Sequence, residues 1–125
     1  MNKAELSKSF IKKSDENFEL YKFLSTENKF IEWQAVSIFY SALCYVKAYL
    51  FSKPNLPDTA INSHKEIMFW LTTEREAKNL MIYECYYKFL YSYSRDARYK
   101  CNKINRKVID KMLEKYAKIK ELLPI

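Results

Sequence analysis

Trp33-Gln34-Ala35-Val36-Ser37-Ile38-Phe39-Tyr40-Ser41-Ala42-Leu43-Cys44-Tyr45-Val46-Lys47-Ala48-Tyr49-Leu50 carries apolar side chains at helical spacing from end to end. Ala35, Ile38, Phe39, Ala42, Val46, Tyr49 and Leu50 recur at the i, i+3, i+4, i+7 positions that give a helix one buried face. Leu43 and Phe51 widen the apolar arc, so a helix from about Asn28 to Ser52 is expected at the centre of the molecule. Ala35, Ser37, Ser41, Ala42, Cys44 and Ala48 are small, which lets neighbouring helices approach to the short end of the ~8–10 Å range. Trp33 to Val46 contains no charged residue. That run is shorter than the ~20 residues a helix needs to cross a bilayer, so it reads as a core helix.

The flanking sequence repeats the helical pattern. Lys3 to about Leu24 places Leu6, Phe10, Leu20, Tyr21 and Leu24 on one face, although its middle turn is polar. Lys53-Pro54-Asn55-Leu56-Pro57-Asp58 is a loop, because two prolines and an Asn/Asp pair stop a helix. Ser63-His64-Lys65-Glu66 reads as a capping box that opens a third helix, ending near Leu71 or Thr73. A fourth is expected from between Glu74 and Ala77 to Tyr99, with a stripe of Leu80, Tyr83, Tyr87, Leu90, Ser94, Ala97 and Cys101. A fifth, about Lys103 to Leu122, buries Ile104, Val108, Met112, Tyr116, Ile119 and Leu123. The chain has no glycine, so no residue enters positive φ cheaply; tight hairpins and Gly-rich phosphate loops are disfavoured. These features predict one all-α domain over residues 1–125, a four- to five-helix, mostly antiparallel bundle.

Charge and cysteine usage narrow the function classes. The net charge of +7 over 125 residues favours polyanionic partners, or simply a solvated lysine surface. Arg75, Arg95, Arg98 and Arg106 are the arginines; every other cation is lysine. Cys44, Cys85 and Cys101 are odd in number and lack CxxC spacing. With a polar N-terminus that does not resemble a secretory leader, free and largely buried thiols in the cytoplasm are expected. One histidine and scattered cysteines offer no metal-ligand set, so no metal or cofactor is expected.

Tyr83-Glu84-Cys85-Tyr86-Tyr87-Lys88-Phe89-Leu90-Tyr91-Ser92-Tyr93-Ser94-Arg95-Asp96-Ala97-Arg98-Tyr99 is the segment richest in chemistry. Most of its rings fall on the core stripe. Tyr86 and Tyr93 point off it, free to stack on bases or to bury at a protein interface. Arg95 and Arg98 share a helix face and suit bidentate bonds to phosphate or carboxylate. Lys103, Lys107, Lys111 and Lys115 continue as an i, i+4 ladder, which reads as a solvated face or a phosphate-tracking ridge. His64 is the lone histidine; packing, capping or acid–base chemistry are its options. Backbone N–H groups at the helix start are expected to disfavour its charged form.

The Trp33–Leu50 stretch resembles the second-helix signature of small prokaryotic HEPN domains, roughly W-x-x-x-x-x-F-Y-x-A-L-H-x-V-x-A-Y-L. Ser63-His64 opening the next helix, Tyr87-Lys88-Phe89-Leu90 and Ser94-Arg95-Asp96-Ala97-Arg98-Tyr99 fit the same pattern, so the resemblance covers about residues 28–101. It implies a HEPN-like helical bundle, commonly dimeric, among toxin-type endoribonucleases and nucleotide- or RNA-binding modules of defence systems. The ribonuclease members carry an arginine followed after four to six residues by histidine. Here those positions hold Lys100, Cys101 and Asn102 after Arg95, and Lys103, Ile104 and Asn105 after Arg98. Cys44 stands where the helix-two histidine is expected, and Ile67 where an arginine often follows Ser-His. The resemblance therefore implies a non-catalytic module, as a homodimer, that binds RNA or a nucleotide. Arg95 and Arg98 would hold phosphate, Lys103 and Lys107 would add field, and Tyr99 would stack. Two alternatives stay open. One is a degenerate metal-independent endoribonuclease toxin using His64 with Arg95 or Arg98. The other is a structural subunit that binds an antitoxin or nucleotidyltransferase partner.

Overall fold

A computed structural model describes residues 1–27, 29–56, 61–100 and 104–125. It holds six α-helices, and no strand occurs among the described residues. They are α1 (Lys3–Thr26), α2 (Ile31–Phe51), α3 (His64–Leu71), α4 (Arg75–Asn79), α5 (Lys88–Tyr99) and α6 (Arg106–Leu122), with a π-helical turn at Tyr83–Tyr87 leading into α5. The loop residues Pro57 and Asp58, and Cys101 and Lys103, lie outside the described residues.

The expected central helix is α2, which packs against α1, α5 and α6. Ala35, Ile38, Phe39, Ala42, Val46, Ala48, Tyr49 and Leu50 are wholly inaccessible. Its contact with α1 is close because serines form it. Ser7 Oγ donates to the Ala48 carbonyl and Ser14 Oγ to the Ser41 carbonyl, both at 2.8 Å. Ser41 Oγ donates to the Ser14 carbonyl and lies 2.7 Å from the Tyr116 hydroxyl. A serine side chain is short, so these bonds form only between helices that nearly touch, and each satisfies a hydroxyl that burial would otherwise penalise. The order of the pairs makes α1 and α2 antiparallel. By contrast α6 runs parallel to α2: Arg106, Tyr116 and the Leu123 carbonyl meet Gln34, Ser41 and Tyr45 in that order.

Two expectations of the sequence fail on α1 and on the fourth helix. Leu20 is exposed, because Ser7, Ser14 and Tyr21 form the buried seam of α1. The fourth helix is split. Met81 sits at φ 53° and ends α4, and the backbone N–H of Lys88 bonds to the Tyr83 carbonyl five residues back. That wider turn lets Ile82 and Tyr87, five apart, share the buried face with Leu90 and Ser94, while Leu80 is turned out. On α6 the expected face is buried except for Val108, which is half-buried, and Ile109 joins it.

Helix caps follow the sequence. Ser63 accepts from the Glu66 amide at 3.2 Å, and Asn105 from the Val108 amide at 3.0 Å, so α6 begins at Arg106. Glu74 caps α4 and is buried. Burial pushes its carboxyl up. The Tyr49 hydroxyl at 2.6 Å, the Ala77 and Glu76 amides and Lys53 outweigh that and hold it below its ordinary value.

Candidate nucleic-acid site

His64 stands in the first turn of α3 and folds back across α2 onto α5. Its ring lies 4.1 Å from that of Tyr91 and 5.7 Å from that of Phe39, and Nδ1 is 3.2 Å from the Tyr87 hydroxyl. One chain alone therefore brings His64 to the arginine-bearing helix. Burial lowers its basicity first, and the charges of Arg98, Lys47 and Arg95 lower it further. The direction agrees with the sequence reading; the cause is burial and neighbouring cations. Burial also raises Tyr87, with Tyr91 and Tyr83 adding to it, so that hydroxyl stays protonated. Nδ1 and the Tyr87 hydroxyl share one hydrogen bond, which either partner can donate according to the tautomer of the ring.

Arg95 is exposed, with its guanidinium 5.7 Å from the Tyr91 ring centre. It lines a cleft of about 290 Å³ with Tyr83, Lys88, Tyr91, Ser92, Asp96 and Lys100. Arg98, one turn on, is held more firmly. Its Nε donates to the Ser94 carbonyl at 3.3 Å and Nη1 to the Tyr40 hydroxyl at 3.1 Å, and it lies between the Tyr40 and Tyr99 rings. Among the described residues neither arginine forms an ion pair; the nearby Asp96 pairs with Lys100 at 3.5 Å. Such guanidinium groups keep N–H donors free for an anion.

The expected site is thus only partly assembled. His64, Arg95 and Arg98 converge, and Tyr99 lies against Arg98. Lys107 is exposed in the first turn of α6 with nothing tying it to the arginines, and Lys103 lies outside the described residues. Arg106 turns away to Tyr21, Gln34 and Asp110. Tyr86 and Tyr93 are half-buried beside Lys115 and Phe89, so they are packing rings more than platforms. Tyr40, Tyr91, Lys47 and Lys88 were not read from the sequence as site residues. Tyr91 and Lys88 carried a signal, one and two helical turns ahead of Arg95. Cys44 is buried, whereas Cys85 is exposed, contrary to expectation. Among the described residues no group of three His, Cys, Asp or Glu side chains is placed to hold a metal ion. No helix described is long and apolar enough to cross a membrane.

Compared with protein-family models, with curated proteins and with solved structures, the chain matches none.

Proposed function

We propose that the chain is a non-catalytic, HEPN-like helical module of the cytoplasm that binds single-stranded RNA across the α3/α5 face. The observation that carries this reading is that His64 and Arg95 meet at the Tyr91 ring, with Arg98 one turn on at Tyr40 and close enough for its charge to act on His64. Arg95 and Arg98 hold successive phosphates, and Lys88 adds positive field at the cleft, where Asp96 offsets Lys100. His64 bonds the Tyr87 hydroxyl through Nδ1 and keeps Nε2 for the strand. The absence of histidine at the positions where the family's nuclease motif requires one favours binding over the ribonuclease alternative.

A salt-dependent titration with labelled single-stranded RNA tests it. Replacing both arginines (Arg95→Gln with Arg98→Gln) lowers affinity more than tenfold and reduces the slope of log affinity against log salt by about 1.4, the value for two phosphate contacts on a single strand. Unchanged affinity in the double variant removes the assignment. Cleavage of the RNA that is lost in His64→Ala restores the endoribonuclease reading.

A further inference from the structure

Beyond the phosphate-binding face lies a second cleft, between the start of α2 and the end of α5. It measures about 230 Å³ and is lined by Glu32, Trp33, Val36, Ala97, Arg98 and Tyr99. Trp33 is 60% and Tyr99 72% exposed, as much as Phe23, Phe30 and Phe69 elsewhere on the surface, but these two rings line one cleft. Leaving two large aromatic rings in water forgoes the burial that such side chains normally gain. The cleft is smaller than the ~300–1,000 Å³ of sites that enclose drug-sized ligands, so it takes one ring system.

We infer that this cleft is a nucleobase subsite, selective for guanine, on the same RNA strand whose phosphates the arginines hold. Three features argue for it. The Trp33 and Tyr99 side chains supply flat apolar surface against which an unstacked base can stack, the mode by which single-stranded RNA is recognised. Arg98 is common to both clusters: Tyr40 and the Ser94 carbonyl fix its Nη1 and Nε, leaving Nη2 for a phosphate next to the bound base. Glu32 puts a carboxylate at the cleft and forms no ion pair among the described residues. A carboxylate only accepts, and it accepts best from two adjacent donors. The guanine edge offers N1–H and the N2 amino group side by side. Adenine and cytosine each offer one amino group beside an acceptor nitrogen, which the carboxylate repels.

The inference rests on the RNA-binding reading, and one experiment separates their failures. The 125-residue chain with Trp70→Phe, so that Trp33 is its only indole, is titrated with short oligouridylates bearing one central G, A or C. Binding is read by anisotropy of the labelled RNA and by Trp33 emission. The expected result is quenching of Trp33 and affinity for the G-containing strand about tenfold above that for A or C. Glu32→Gln erases that preference, and Trp33→Leu weakens binding of the G strand about tenfold. Arginine-dependent binding without base preference or quenching overturns the subsite and leaves the RNA-binding reading intact. No binding of any strand overturns both. Trp33 emission that follows protein concentration and ignores RNA shows a second copy of the chain on the cleft and overturns the subsite.

Discussion

A single imidazole makes this molecule easy to interrogate. Because His64 is the sole histidine, its ring protons give one unambiguous NMR titration. Its midpoint is expected below the ordinary 6.5, since burial leads and Arg98, Lys47 and Arg95 add repulsion. The linkage has a definite sign. A folded-state value below the unfolded one means the unfolded chain binds the proton first, so this contribution to stability is complete above about pH 6.5 and is lost as pH falls towards the folded midpoint. On the RNA-binding reading a bound phosphate reverses the local field, so RNA is expected to raise the midpoint and to bind more tightly as the solution is acidified. His64→Gln removes that acid dependence. A midpoint at or above 6.5 without ligand contradicts the arrangement. The sequence supplied the chemistry of this site but not its company. Arg95 and Arg98 stood out as a pair on one face. Tyr40 did not, because it lies beside the i, i+3, i+4 stripe of α2 and gains a role only when Arg98 packs over it.

Helix existence was legible from apolar period and caps: α2 from its unbroken stripe, α3 from Ser63 and Glu66, and the C-terminal end of α6 from Pro124. Phase was not legible wherever hydrogen bonding departed from the α pattern. Reading Leu80 and Tyr83 as the buried side assumed a 3.6-residue turn throughout, and the π-turn at Tyr83–Tyr87 together with the left-handed Met81 moved that side to Ile82. Leu20 misled for a different reason. Buried serines on α1 satisfy their hydroxyls on α2, so polarity did not mark the exposed side. In a chain without glycine, the left-handed turns among the described residues fall to Phe30 and Met81, each at the cost of a Cβ clash of ~1–2 kcal/mol. Met81 is 53% exposed, so little packing is lost on removing its side chain. Met81→Gly is therefore expected to stabilise the protein by about 0.5–1 kcal/mol, the relieved clash being partly offset by the greater freedom of glycine in the unfolded chain. Urea denaturation reads this directly; a lower midpoint would mean that the Met81 side chain contributes more than its backbone costs.

At the scale of the whole molecule, the excess of +7 is spread over many lysines, while Arg98 and Arg106 sit at defined contacts. A lysine field that merely solvates the surface and one that also attracts RNA differ in what travels with the protein. The RNA-binding reading predicts that protein isolated at low salt carries nucleic acid, seen as a raised ratio of absorbance at 260 nm to that at 280 nm, and that washing in high salt lowers the ratio as counterions displace the phosphates. A ratio set by protein alone before the wash counts against it. The bundle itself also constrains how such a site can change over generations. A π-turn is the mark of one residue inserted into an α-helix. The chain between α4 and α5 thus behaves like a ratchet with one extra tooth. Excising one residue from 83 to 86 would restore the ordinary pitch and leave Ile82 and Tyr87 four apart, a spacing that keeps both on one face of an α-helix. Tyr87, and with it the partner of His64, would stay on the core side. The extra residue is therefore one that this helix could lose in a single heritable event without parting the fold from its site.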